Sequence, residues 1–252
     1  MCTVVVLRRP DHAWPLLLAA NRDEMAGRPW LPPARHWPDR HDVIAGIDQL
    51  AGGTWLGLND TGVVAGLLNR KDSLGPDPRL RTRGELVLEA LDHADAVAAA
   101  HALTGLDGRS YRSFNMVIAD NRDAFWLRSL GEAGGGKVEA KELPPGLSML
   151  TSRDLDDPDS PRIRLYRPRF EAAAAPDPDR GDWSAWEALL AHQEYLPGEG
   201  PGEAMTVITD RGFGTLSSSL IALPAIEAVG TKPIWRFAAG RPGEAAYTPV
   251  EV

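Results

Sequence analysis

The chain predicts an α+β fold: two antiparallel sheets stacked face to face with a helix pair outside each, a four-layer αββα sandwich. Three observations carry this. The predicted elements run strands, two helices, strands, two helices, strands. Neighbouring strands are joined by short turns, which suits antiparallel pairing. Hydrophobic residues make up 43% of 252 positions, ample for a core. No internal repeat or long linker divides the chain, so a single domain, residues 1–252, is expected.

The elements follow in order. Thr3–Leu7 and Pro15–Ala20 are apolar, partly β-branched runs that predict strands. Thr54–Leu58 and Val63–Leu68 flank Asn59-Asp60-Thr61-Gly62, whose Asn and Gly predict a hairpin turn. Thr82 with Glu85 predicts a capping box, and Leu86, Val87, Ala90 and Leu91 have helical spacing. A second helix is expected from about Asp95 to Leu103, before Gly105. Phe114–Ala119 and Phe125–Leu130 form the next strand pair, followed by Lys137–Leu143 and Leu147–Thr151. Helices are expected over Pro161–Ala175, interrupted near Pro168, and over Trp183–His192. Met205–Thr209, Thr215–Leu223 and Pro233–Phe237 close the chain as strands.

Composition narrows the function. A formal charge of −8 argues against a nucleic-acid partner, because neutralising phosphates needs basic clusters. A single cysteine excludes an internal disulfide and a thiolate zinc site. The run Trp14–Ala20 is too short to span a bilayer and lacks the basic flank of a signal sequence. A cytoplasmic protein without a transmembrane segment is therefore expected. The six histidines have no metal-ligand spacing, so no metal is expected. His36 and His41 fall in a Trp/Pro-rich stretch, Trp30 to Asp42, read as a loop.

The one cysteine, Cys2, directly follows Met1. Loss of Met1 would give Cys2 both a thiol and a free α-amine. An amine with a pKa of roughly 7.7–8.0 can serve as base to a thiol of about 8.5, a Cys–His pair compressed into one residue. With Met1 attached, that chemistry is off. The second strand runs into Asn21-Arg22-Asp23-Glu24, four polar residues that are costly to bury without partners. If the first two strands pair, Asp23 can reach Cys2.

Together with Gly52-Gly53-Thr54-Trp55-Leu56-Gly57-Leu58-Asn59 and Gly62-Val63-Val64-Ala65-Gly66-Leu67-Leu68-Asn69-Arg70, these residues resemble the NRDE family, also called the transport and Golgi organisation protein 2 family. The resemblance is strong over residues 1–70 and recurs more weakly at Leu150–Arg162 and Gly214–Leu223. It implies an N-terminal nucleophile hydrolase fold, near choloylglycine hydrolase and penicillin acylase. Carried over position by position, Cys2 matches the nucleophile and Asp23 an aspartate that orients it. Asn69 matches an asparagine whose amide helps form an oxyanion hole, a donor worth about 3 kcal/mol in such sites. Asn21, Arg22, Trp55, Ser152 and Arg153 are the expected substrate-side residues; Arg22 has no counterpart in the hydrolase relatives and is expected either to clamp a substrate carboxylate or to partner Asp23 or Glu24 internally. Two positions depart from the family pattern. Ser152 stands where a second asparagine is expected, and Leu216 where an arginine is expected. Arg153 and Arg211 are candidates to supply the missing charge.

Two functions fit these residues. One is a hydrolase or acyltransferase acting through Cys2 on a non-peptide C–N bond of a small-molecule amide, without a cofactor. The other is a non-catalytic carrier of apolar ligands such as haem or acyl-coenzyme A. Cysteine at 2, aspartate at 23 and asparagine at 69 together favour the first. Neither implies an oligomeric state.

Overall fold

The structure, a computed structural model, describes residues 2–75 and 77–252. Met1, whose removal the expected Cys2 chemistry requires, lies outside them. The chain forms two compact units: Met1–Arg28 with Pro144–Val252, and Pro29–Leu143.

The first unit is a six-stranded antiparallel sheet carrying two helices. Its strands are β1 (Thr3–Arg8), β2 (Leu16–Met25), β10 (Gly146–Leu150), β11 (Phe213–Leu223), β12 (Ile234–Ala238) and β13 (Tyr247–Pro249), in the spatial order β10-β1-β2-β11-β12-β13. Val5, Leu17, Ala19, Met149, Leu220 and Ala222 share one face. There they pack on helix α3 (Pro161–Ala172) and helix α4 (Ser184–Leu190) through Ile163, Tyr166, Phe170, Trp186 and Leu190. Phe170 and Trp186 meet edge-to-face at 5.4 Å.

β2 continues five residues past the end of its apolar run, because β11 pairs with it from Leu16 to Met25. Helix α3 passes through Pro168 without a break, held by Tyr166 and Phe170 on either side in the core. The strand expected over Met205–Thr209 does not form. Only Ile208 makes a bridge, to Gly214, while Val207 donates its N–H to the Thr215 hydroxyl at 2.8 Å. Gly214 is needed there, since a Cβ on it would sit 2.7 Å from the Val207 carbonyl oxygen.

The second unit is a seven-stranded antiparallel meander: β3 (Trp30–Ala34), β4 (Val43–Asp48), β5 (Leu56–Asn59), β6 (Val64–Asn69), β7 (Phe114–Ala119), β8 (Ala124–Ser129) and β9 (Val138–Glu142), in sequence order. Helices α1 (Gly84–Leu91) and α2 (Ala96–Thr104) pack on the face carrying Val43, Ala45, Val63, Ala65, Phe114, Met116 and Ile118. The stretch read as a Trp/Pro loop is in part the edge strand β3. Its two prolines fall where the register with β4 shifts, and an edge tolerates their missing donors.

The expected capping box is absent. Arg83 takes the cap position of α1 without a side-chain bond to the helix N–H groups, its guanidinium donating instead to the Ser73 hydroxyl and the Ser113 carbonyl. Glu85 instead accepts from the Tyr111 hydroxyl at 2.7 Å and pairs with Arg81 at 2.6 Å. Asn59 does more than make a turn. Its amide donates to the Leu91 and His93 carbonyls, both at 2.8 Å, tying the hairpin to carbonyls at the end of α1. Among the described residues, no helix is long and apolar enough to cross a membrane.

Candidate active site

Strand alternation sets the geometry. Along β2, Leu17, Ala19, Asn21 and Asp23 share the face covered by α3 and α4, and Arg22 takes the opposite face. In β11 a bulge at Leu216 separates the Thr215–Asp23 pair from the Ser217–Arg22 pair. The extra residue lets both Thr215 and Ser218 turn to the helix side. Thr215 then donates its hydroxyl to Asp23 Oδ1 at 2.5 Å, and Ser218 donates to Asn21 Oδ1 at 2.7 Å.

Cys2 precedes β1 and is held by the main chain of Asp23. The Asp23 N–H donates to Sγ at 3.4 Å, and the thiol donates back to the Asp23 carbonyl at 3.6 Å. The Asp23 carboxylate is buried and gripped at both oxygens. Beyond Thr215 on Oδ1, Arg162 of α3 lies 3.5 Å from Oδ2, the Arg162 side chain 2% and that of Asp23 0% exposed. Arg162 also donates to the Thr3 hydroxyl at 2.7 Å and to the Gly202 carbonyl at 2.5 Å. One guanidinium therefore ties together Asp23, the residue after Cys2, and the turn at 201–203.

The Cys2 thiol is pushed above its ordinary value, first by burial and then by the charge of Asp23. The Asp23 N–H and Arg22 oppose the shift. The resting group is thus a thiol at neutral pH.

A family model described as Transport and Golgi organisation 2 matches residues 1–226. The chain belongs to this family. The human Transport and Golgi organization protein 2 homolog is 33% identical over 153 residues. That match covers 58% of this chain and 54% of the relative, so the chain spans about half the length of the curated relatives it matches. Among solved structures, the Caenorhabditis elegans N-acylethanolamine-hydrolyzing acid amidase ortholog is similar with a TM-score of 0.56 at 12% identity, over 87% of this chain and 92% of that one. A variant of the conjugated bile acid hydrolase from Clostridium perfringens gives 0.55 at 12% identity, over 99% and 92%. At such identity the likeness is one of fold. It is the α+β fold of the N-terminal nucleophile hydrolases, two antiparallel sheets with four helices.

Not every residue picked from the Transport and Golgi organisation 2 pattern is placed to touch a ligand. Asn21 is 1% exposed. Its amide donates to the Leu190 and Met205 carbonyls at 2.9 and 3.0 Å, so it ties β2 to the end of α4 rather than facing substrate. Arg22 is buried opposite Ser217, while Glu24 bonds the Met25 N–H and Arg28. Ser152 is buried and Arg153 half-buried in the loop after β10. In the second unit, Trp55 is half-buried edge-to-face with Trp30 at 5.8 Å. Its ring lies against Gly46, where a Cβ would be 2.3 Å away. Asn69, half-buried at the end of β6 opposite Phe114, also belongs to that unit, and its amide role stays one implied by the resemblance.

Sequence reasoning passed over Thr3, Arg162 and Thr215. Arg162 was legible in principle: it is a cation in the first turn of a helix, against the helix dipole. Arg162 supplies a positive charge beside Asp23. Among the described residues, no group of three or more His, Cys, Asp or Glu could hold a metal ion.

Proposed function

We propose that Cys2, after removal of Met1, is the nucleophile of an amidohydrolase or acyltransferase acting on a non-peptide C–N bond of small molecules. The observation that carries this reading is the clasp on residue 2. Its thiol is fixed by both main-chain groups of Asp23, whose carboxylate is itself fixed by Thr215 and Arg162. Burying a carboxylate and a guanidinium is an expensive way to seat a small apolar residue, and a reasonable way to orient a nucleophile.

In the proposed reaction the α-amine of Cys2 takes the thiol proton, and Sγ bonds to the amide carbonyl carbon. The C–N bond then breaks, and the amine leaves with the proton held by the α-ammonium. Water, or a second amine, attacks the thioester; the acyl group departs as a carboxylic acid or a new amide, and the thiol regains its proton. The Asp23 N–H, already directed at sulfur, favours the thiolate as it forms.

The test uses protein beginning at Cys2, incubated with N-acylethanolamines and conjugated bile acids and quenched in acid. An acyl adduct on residue 2, with release of one amine per turnover, supports the reading. A bound apolar ligand with no adduct and no amine would favour the carrier of haem or acyl-coenzyme A instead.

A further inference from the structure

Arg162 stands out once the Cys2 site is described. It is the second residue of a twelve-residue helix whose first turn holds no acidic side chain, and it is almost wholly buried. A cation is disfavoured at that end of a helix, and burial of the charge adds to the penalty. Local rules broken together at one residue mark a place where function rather than stability has set the choice. Its hydrogen bonds say where the effect goes. They reach Thr3, adjacent to Cys2, and the 201–203 turn, while its charge lies against Asp23.

We propose that Arg162 is a positioning residue of the Cys2 site: it anchors Thr3 and offsets the charge of Asp23, so that Cys2 gives up its proton more readily than it would beside an uncompensated carboxylate. This rests on the reading of Cys2 as the nucleophile. The reasoning is electrostatic. Asp23 uncompensated would hold protons on Cys2, on thiol and α-amine alike, because a nearby negative charge favours the more positive state of each. A buried guanidinium beside that carboxylate weakens the hold. The charged side chains that act on the Cys2 thiol are Asp23 and Arg22 from β2, and Arg162 reaches Asp23 from α3. β11 contributes the neutral Thr215.

The experiment measures iodoacetamide alkylation of Cys2 against pH in protein beginning at Cys2, for wild type, Arg162→Met, Arg162→Lys, Asp23→Asn and the Asp23→Asn/Arg162→Met double variant, each with a thermal melt. Arg162→Met should raise the midpoint by about one pH unit, the size expected for loss of one close charge. Arg162→Lys should stay near wild type. In the Asp23→Asn background the further loss of Arg162 should shift the midpoint by much less than it does when Asp23 is present. If Arg162→Met does not fold, the comparison runs between the other variants. Asp23→Asn alone must then lower the midpoint, and Arg162→Lys must keep it. An unchanged midpoint in Arg162→Met with only a lower melting temperature would overturn the proposal. So would an equal shift with and without Asp23. Failure of the catalytic reading would show separately, as missing acyl adducts with the alkylation shifts intact.

Discussion

At Cys2, burial and the charge of Asp23 together outweigh the groups that favour ionisation, and the thiol is held up. Two expectations follow. Alkylation of Cys2 should rise with a midpoint above the ordinary thiol range of about 8.5, and Asp23→Asn should bring it down, which a pH series with iodoacetamide measures directly. Stability should depend on the same group. Because the folded value is raised, the native state keeps its proton longer than the unfolded chain does. The contribution is complete below about pH 8.5 and is lost as pH rises through the folded value. Urea midpoints should therefore fall over that alkaline window in wild type, and less steeply in Cys2→Ala.

Among the elements, α3 and β11 matter most for the site, since one delivers Arg162 and the bulge in the other delivers Thr215. Removing the Arg162 charge strands a buried carboxylate, so Arg162→Met should cost about 3–5 kcal/mol in urea denaturation. In the second unit, Gly53 passes so close to the start of α1 that a Cβ would stand 2.5 Å from the Gly84 carbonyl carbon. Gly53→Ala should destabilise by about 1–3 kcal/mol, visible as a lower melting temperature. Elements with a clear period were legible in the sequence: β1, the β5–β6 hairpin, β7 and both helix pairs. What escaped was set by partners distant in the chain. β2 looked finished at Ala20 because its hydrophobic run ended there, yet β11 carries the ladder on to Met25. β3 hid behind two prolines, and Thr82 looked like a cap while Arg83 holds the cap position.

For the whole molecule, the order of elements and the motifs at residues 1–70 pointed to the N-terminal nucleophile fold, and the match over residues 1–226 and the similar hydrolase structures agree. The candidate site was legible where chemistry sits in the local sequence, as at Cys2 and Asp23. It was not legible where a side chain arrives from far along the chain: Arg162 is 139 residues from Asp23, and Thr215 is 192. No spacing rule in a single sequence connects such positions. The central claim, that residue 2 works as a free N-terminal nucleophile, meets its most direct test in the intact mass and first Edman cycle of the protein purified from its own cells. The account predicts a chain lacking Met1 and beginning at Cys2. A chain that retains Met1 throughout would contradict it.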